Sequence, residues 1–435
     1  MKGNRFLQNT SWLVFGKIFQ MIIQFFIGII SARYLGPDNF GTISYISSFI
    51  TFFASIVLLG LNGVLINELV VNRNREGEIV GTAIYLRFIV GALSTLLLYV
   101  IIIFSEGIDS EFFTVAIIMS IQLPLYAFDS IGYWFQSQLL SKKIVLIQSV
   151  AFLFVATYKV YILISKKTVT WFAFSASLNI LLMAILYYLV YKKSSSQKLR
   201  FSPTFAKRLL RQCFPFLLET LMVQIYAQTD KVMIRNLMGS VGQVGIYTAC
   251  TTICGLIGFI PVAIIDSGRP VIMELKAHND AKYELRLKQL IAAVSWISIL
   301  YSLCISLFSY PILYILYGKE FISGNLCLKI VVWYTAFSFL GGIRSIWLIC
   351  EKKNMYVFWL SLLGAITNVA LNLFLIPKYG INGAAFATFL TQVLSNLIYP
   401  MFFKQTQRFS LLAFNSIMLR DIDIRGLLKN LRYIR

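Results

Sequence analysis

Long apolar runs follow one another almost without interruption from residue 11 to residue 403. A helix needs about 20 mostly apolar residues to cross the hydrocarbon of a bilayer. Twelve stretches qualify, at roughly 11–33, 41–66, 80–103, 112–137, 144–164, 169–191, 213–238, 244–267, 289–317, 328–350, 355–376 and 380–403. Hydrophobic residues make up 58% of the chain and charged residues 13%. A soluble chain carries about 25% charge, so this one cannot clothe its surface for water. The expected fold class is an all-α polytopic membrane protein of about 12 transmembrane helices.

The distribution of Lys and Arg sets an orientation. If the N-terminus is inside, the outside loops hold only Lys166, Lys167, Lys319 and Lys378, and the inside segments hold nearly all the others that lie beyond the spans. Cationic residues accumulate in cytoplasmic loops, so both termini are expected in the cytoplasm, in a multi-pass membrane protein. The same rule accounts for the net charge of +21, and no nucleic-acid partner is expected. The N-terminal segment leads directly into a full-length span and is read as a first helix, not a cleaved signal.

The polar connection 192–212 is the longest inner loop and divides the spans six and six. The expected organisation is an N-terminal lobe (1–195), a cytoplasmic linker (196–212), a C-terminal lobe (213–403) and a basic tail (404–435). The end of that tail either forms a surface-lying amphipathic helix or adheres electrostatically to anionic lipid.

The halves repeat weakly. Arg33, Gly36 and Gly41 at the first corner recur as Arg235, Gly239 and Gly245, roughly 200 residues further on. Six spans per half enter the membrane in the same direction, so the lobes are expected to be related by a pseudo-twofold along the membrane normal. In span 1, Lys17, Gln20, Gln24 and Gly28 recur at three- and four-residue spacing, on one helical face. In span 7, Glu219, Tyr226 and Asp230 share a face. Shifted onto each other, the two stripes coincide, and both are expected to line one aqueous cavity. An ionised side chain facing lipid at mid-helix costs about 2.5–3.5 kcal/mol, so span 7, with Glu219, Asp230, Lys231 and Arg235, needs water or partners. Snorkelling is the competing explanation for Lys231 and Arg235, and the preferred one for Arg87, Lys159 and Arg344. Asp129 lies toward the inner end of span 4.

Three stretches carry a family resemblance: ARYLGPDNFGTISY (32–45), QTDKVMIRNLMGSVGQVGIYTA (228–249) and NVALNLFLIPKYGINGAAFATFLTQ (368–392), with YWFQSQ (133–138) in support. With them the chain resembles the Wzx-type O-antigen or capsule repeat-unit flippases, in the polysaccharide branch of the multidrug/oligosaccharidyl-lipid/polysaccharide exporter superfamily. The resemblance implies translocation of an undecaprenyl-pyrophosphate-linked oligosaccharide, a lipopolysaccharide or capsule precursor, from the inner to the outer leaflet by alternating access. Its implied partners are that cargo, membrane lipid, and a polysaccharide polymerase with its chain-length regulator.

The cavity candidates for binding are Lys17, Gln20, Gln24, Tyr226, Lys231 and Arg235, with Lys and Arg suited to phosphate. Tyr226 and Trp134 are candidates for stacking on sugars. The ion-coupling candidates are Glu219, Asp230 and Asp129, and membrane potential is an alternative driving force. No metal site or cofactor is expected beyond a coupling ion, H⁺ or Na⁺: His278 is the only histidine, and no CxxC pair occurs among the six cysteines. Asn368 and Asn372 are expected to bond neighbouring helices. A catalytic function is not expected, because the outside loops are short and hold no catalytic pair of carboxylates. The alternatives are a related small-molecule exporter and, further off, a membrane-embedded polymerase.

Overall fold

The computed structural model describes the backbone at residues 2–353 and 355–420, and side chains in that range except at 2–19, 22 and 219. The described chain is helical, with no strand. Nine of its helical segments are long and apolar enough to cross a membrane, or ten when Lys319–Val331 and Tyr334–Cys350, bent by 46°, are taken as one broken span. Two features reconcile this with twelve expected spans. The first segment, Ile23–Val71, contains the corner at Gly36 and covers two of them. The helix Pro203–Met238 is 36 residues long and is not counted among the nine.

The corners follow from backbone chemistry. Gly36 has φ 70 and ψ 173 inside the run Lys2–Val57, and Pro37, which has no N–H to offer, opens the next helix. Gly239 has φ 67 and separates Pro203–Met238 from Val241–Gly255. These two glycines are the repeated pair seen in the sequence. The last hairpin turns at Gly380, between Met355–Tyr379 and Ile381–Val393. Its helices pack closely, with Ala384, Ala385 and Ala387 wholly buried.

Several expected spans are interrupted. Span 2 breaks between Val57 and Asn62, at Leu59 and Gly60, both with positive φ. Span 4 is broken between Ser120 and Asp129, around Pro124. The final span has a wide turn at Leu394–Ile398, just before Pro400, which cannot donate to the helix ladder.

The chain forms two compact units, residues 1–228 and 229–435. In the first, Leu61, Leu65, Leu69, Val80, Phe135 and Leu209 share a core. Phe205, Leu209 and Cys213 bring the start of the helix Pro203–Met238 into that core, so residues 203–212 of the expected linker are helical and packed. In the second, Leu287, Ile291, Leu340, Trp347 and Phe409 are the centre. Outward faces carry large apolar side chains, Phe104 at 87% and Phe402 at 77% exposure among them. Such surfaces suit a lipid solvent. The tail beyond Arg420 lies outside the described residues.

Candidate functional site

In the C-terminal unit four helices converge on one carboxylate. Asp230, 3% exposed, stands on Pro203–Met238 about two turns before its end. The Gly239 corner folds Val241–Gly255 back against it, and the Tyr247 hydroxyl donates to Asp230 Oδ2 at 2.6 Å. The Gly380 hairpin brings two further groups. Thr388 Oγ1 donates to Oδ2 at 2.5 Å, and Asn372 Nδ2 donates to Oδ1 at 2.6 Å. Asn372 Nδ2 also donates to Asn368 Oδ1 at 3.1 Å.

Hydrogen bonds to an ionised group contribute about 1.5–3 kcal/mol each, so three of them offset much of the penalty for a charge in this setting. Two amide atoms in the cluster are buried without a hydrogen-bond partner, Asn372 Oδ1 and Asn368 Nδ2. Half-turns of the two amides would present further oxygens beside the carboxylate. An all-oxygen set of this kind suits a hard cation or a proton. The carboxylate is enclosed by side chains of its own unit. Asn368 and Asn372 do join neighbouring helices, but through the site itself. Tyr247 and Thr388 were not singled out from the sequence. Their signal is that two of the three resemblance stretches supply every member of the cluster.

The other candidates are dispersed. Arg235 Nη1 donates to the Gly239 carbonyl at 2.6 Å, closing the corner. Lys231 and Tyr226 are half-buried and engaged with other groups. In the N-terminal unit Gln20 Nε2 approaches Gln148 Oε1 at 3.5 Å, and Gln148 in turn donates to the Tyr187 hydroxyl at 3.1 Å. Gln24 lies on the wall of a cavity in that unit. The side chains of Lys17 and Glu219 fall outside the described residues.

Three expectations are corrected. Arg87 does not snorkel. It is fully buried, donates to Ser130 Oγ at 3.1 Å and to the Leu58 carbonyl at 2.9 Å, and lies 5.4 Å from the centre of the Tyr133 ring. Asp129, half-buried beside Ser130, supplies the opposite charge. Arg344 is also buried, at 4% exposure, and donates to the Ser395 carbonyl in the wide turn. Both guanidiniums satisfy carbonyls at helix breaks, which holds them inside. Trp134 has no face open to a sugar. It is 3% exposed, packs on Phe135 and Tyr191, and donates to Glu76 Oε2 at 2.7 Å.

This helical plan, with a buried polar cluster in one unit, defines a multi-pass membrane protein with a known transporter fold. The lipid II flippase MurJ, in an inward closed conformation, superposes with a TM-score of 0.71 at 16% identity, over 93% of this chain and 90% of that one. An inward-facing multidrug resistance MATE transporter of the MOP superfamily gives a TM-score of 0.69 at 15% identity, over 90% and 95%. An outward-facing MATE transporter gives 0.64 at 13% identity, over 94% and 96%. No curated protein sequence matches significantly. Residues 6–276 match the family described as polysaccharide biosynthesis protein. The chain belongs to that family.

Proposed function

We propose that this protein is a flippase that moves a lipid-linked oligosaccharide repeat unit from the inner to the outer leaflet of a bacterial cytoplasmic membrane. The observation that carries the reading is the enclosed Asp230 cluster, within a fold shared with a lipid II flippase and in a chain of a polysaccharide-biosynthesis family. An intramembrane carboxylate ringed by hydroxyls and amides is suited to exchange H⁺ or Na⁺ for cargo. Binding the ion neutralises the charge, and releasing it restores the three hydrogen bonds. The two states favour different packing of four helices, which is what alternating access requires. The lipid tail stays in the bilayer while sugar and pyrophosphate cross, with Lys231 among the groups suited to the phosphates.

The remaining elements of the reading are both termini in the cytoplasm, lobes 1–195 and 213–403, and a downstream polymerase with a chain-length regulator as partners. The MATE likeness would serve a small-molecule exporter equally well, but the family favours a glycan. The test is deletion of the gene in its host, followed by analysis of lipid-linked glycan. Complete single repeat units should accumulate at the inner leaflet. Exported but unpolymerised units would instead point to a polymerase and overturn the reading.

A further inference from the structure

The N-terminal unit holds a cavity of about 230 Å³ between the helices Lys2–Val57, Ser141–Ile164 and Val169–Ser194 and the broken span at Gln122. Drug-sized ligands occupy about 300–1,000 Å³, so this space suits something near a single ring. Its polar wall is Gln24, Gln122, Tyr126, Lys159, Ser175 and Asn179.

Some of these groups are already committed. Gln122 Nε2 donates to the Met119 carbonyl at 2.7 Å, and its Oε1 accepts from the Tyr126 hydroxyl at 3.2 Å. Ser175 Oγ donates to the Phe172 carbonyl at 2.5 Å. Two groups are not. Among the described residues no carboxylate pairs with Lys159, although it stands inside a span where charges are normally paired. Asn179 Oδ1 is buried and accepts no hydrogen bond.

The ammonium calls for an anion, and the amide oxygen calls for a hydroxyl or N–H donor. Phe152, Val155 and Ile180 add an apolar surface for the C–H face of a ring. A bare phosphate satisfies the first demand and can offer a P–OH for the second, but it has no C–H face for the apolar wall of Phe152, Val155 and Ile180.

We propose that this cavity is a subsite for an acid-bearing pyranose, a uronic acid type of sugar, with its carboxylate on Lys159 and a ring hydroxyl donating to Asn179 Oδ1. The assignment rests on the flippase reading only for the source of the sugar, which would be an acidic residue of the repeat unit.

The test is calorimetric titration of the purified full-length protein, in nanodiscs of zwitterionic lipid, with glucuronate, glucose and inorganic phosphate. Saturable glucuronate binding is expected, at least tenfold tighter than glucose or phosphate. Lys159→Met should weaken it at least tenfold, and Lys159→Arg should retain it. Asn179→Asp, which sets a carboxylate in the same cavity, should also abolish it; this variant keeps the test open if Lys159→Met fails to fold. Absence of glucuronate binding, or equal binding by the wild type and Lys159→Met, overturns the proposal. So does phosphate binding as tight as glucuronate, or displacement of glucuronate when the nanodisc lipid is changed to phosphatidylglycerol, since a lipid phosphate would then be the ligand. Transport is not needed for this measurement, so the subsite and the flippase reading can fail independently.

Discussion

Asn372 donates its side-chain amide to Asp230 Oδ1 at 2.6 Å across 142 positions of sequence. This bond links the hairpin at the end of the chain to the most charged helix in it. The bond, the Tyr247 and Thr388 hydroxyls and the Asn368 amide make one connected polar group. Such networks act as units, and losing one member leaves the others unsatisfied.

Asp230→Asn preserves shape and removes the charge. Protein abundance in the membrane should stay within about twofold, because the buried charge carries a desolvation penalty that the amide escapes. Glycan export should fall at least tenfold. The wild type should lose activity when its driving H⁺ or Na⁺ gradient is collapsed, and the mutant's residual activity should not respond. Export assayed in inverted vesicles, with ionophores, reads both effects.

Tyr247→Phe and Thr388→Val each remove one donor to Asp230 Oδ2 while nearly preserving volume. Each should lower stability by about 1–3 kcal/mol, the range for leaving a buried partner unsatisfied. In the Asp230→Asn background the same substitutions should do less, because the group they serve is no longer charged. A thermal-unfolding double-mutant cycle measures this coupling.

Arg87→Met should destabilise the N-terminal unit by about 1–3 kcal/mol, since it removes the donor to Ser130 Oγ and one of the two donors to the Leu58 carbonyl, and leaves Asp129 without a neighbouring opposite charge. A snorkelling arginine in the same span would tolerate methionine with little loss. Reduced yield and a lowered melting temperature in detergent would separate the two. Loss below about 0.5 kcal/mol would mean that the buried arrangement contributes little.

Gly239→Ala tests the corner alone. A Cβ there meets nothing within 4 Å, so the only penalty is the left-handed backbone, about 1–2 kcal/mol for an L-residue. Gly239→Asn should be milder, because asparagine tolerates that region better. Melting temperatures of the two variants give the order.

The spans and corners were legible because each rests on local chemistry. Twenty apolar residues in a row suffice to mark a helix in lipid, and Gly36 and Gly239 mark turns because side chains rarely adopt positive φ. Asp230 stood out for a local reason as well, being a carboxylate in an apolar span. Its partners did not. Tyr247 lies 17 residues away and Thr388 lies 158, and neither is unusual on its own helix. The fate of Arg87 was equally hidden. Distance from a span end suggested snorkelling, but the acceptors that hold it are Ser130 Oγ and the Leu58 carbonyl, the latter at a helix break that the apolar pattern of span 2 conceals. The cavity at Lys159 is a matter of packing among four segments, and periodicity within any one of them does not report it.

The Arg235 guanidinium is spent, at least in part, on the carbonyl of Gly239, four residues along its own chain. An oxyanion arriving at that end of the helix would therefore compete with the peptide group that shapes the bend. Recruiting Arg235 means loosening the reversal between two helices that both feed Asp230. Recognition of a phosphate there and the geometry around the buried carboxylate would then be mechanically linked by a single side chain.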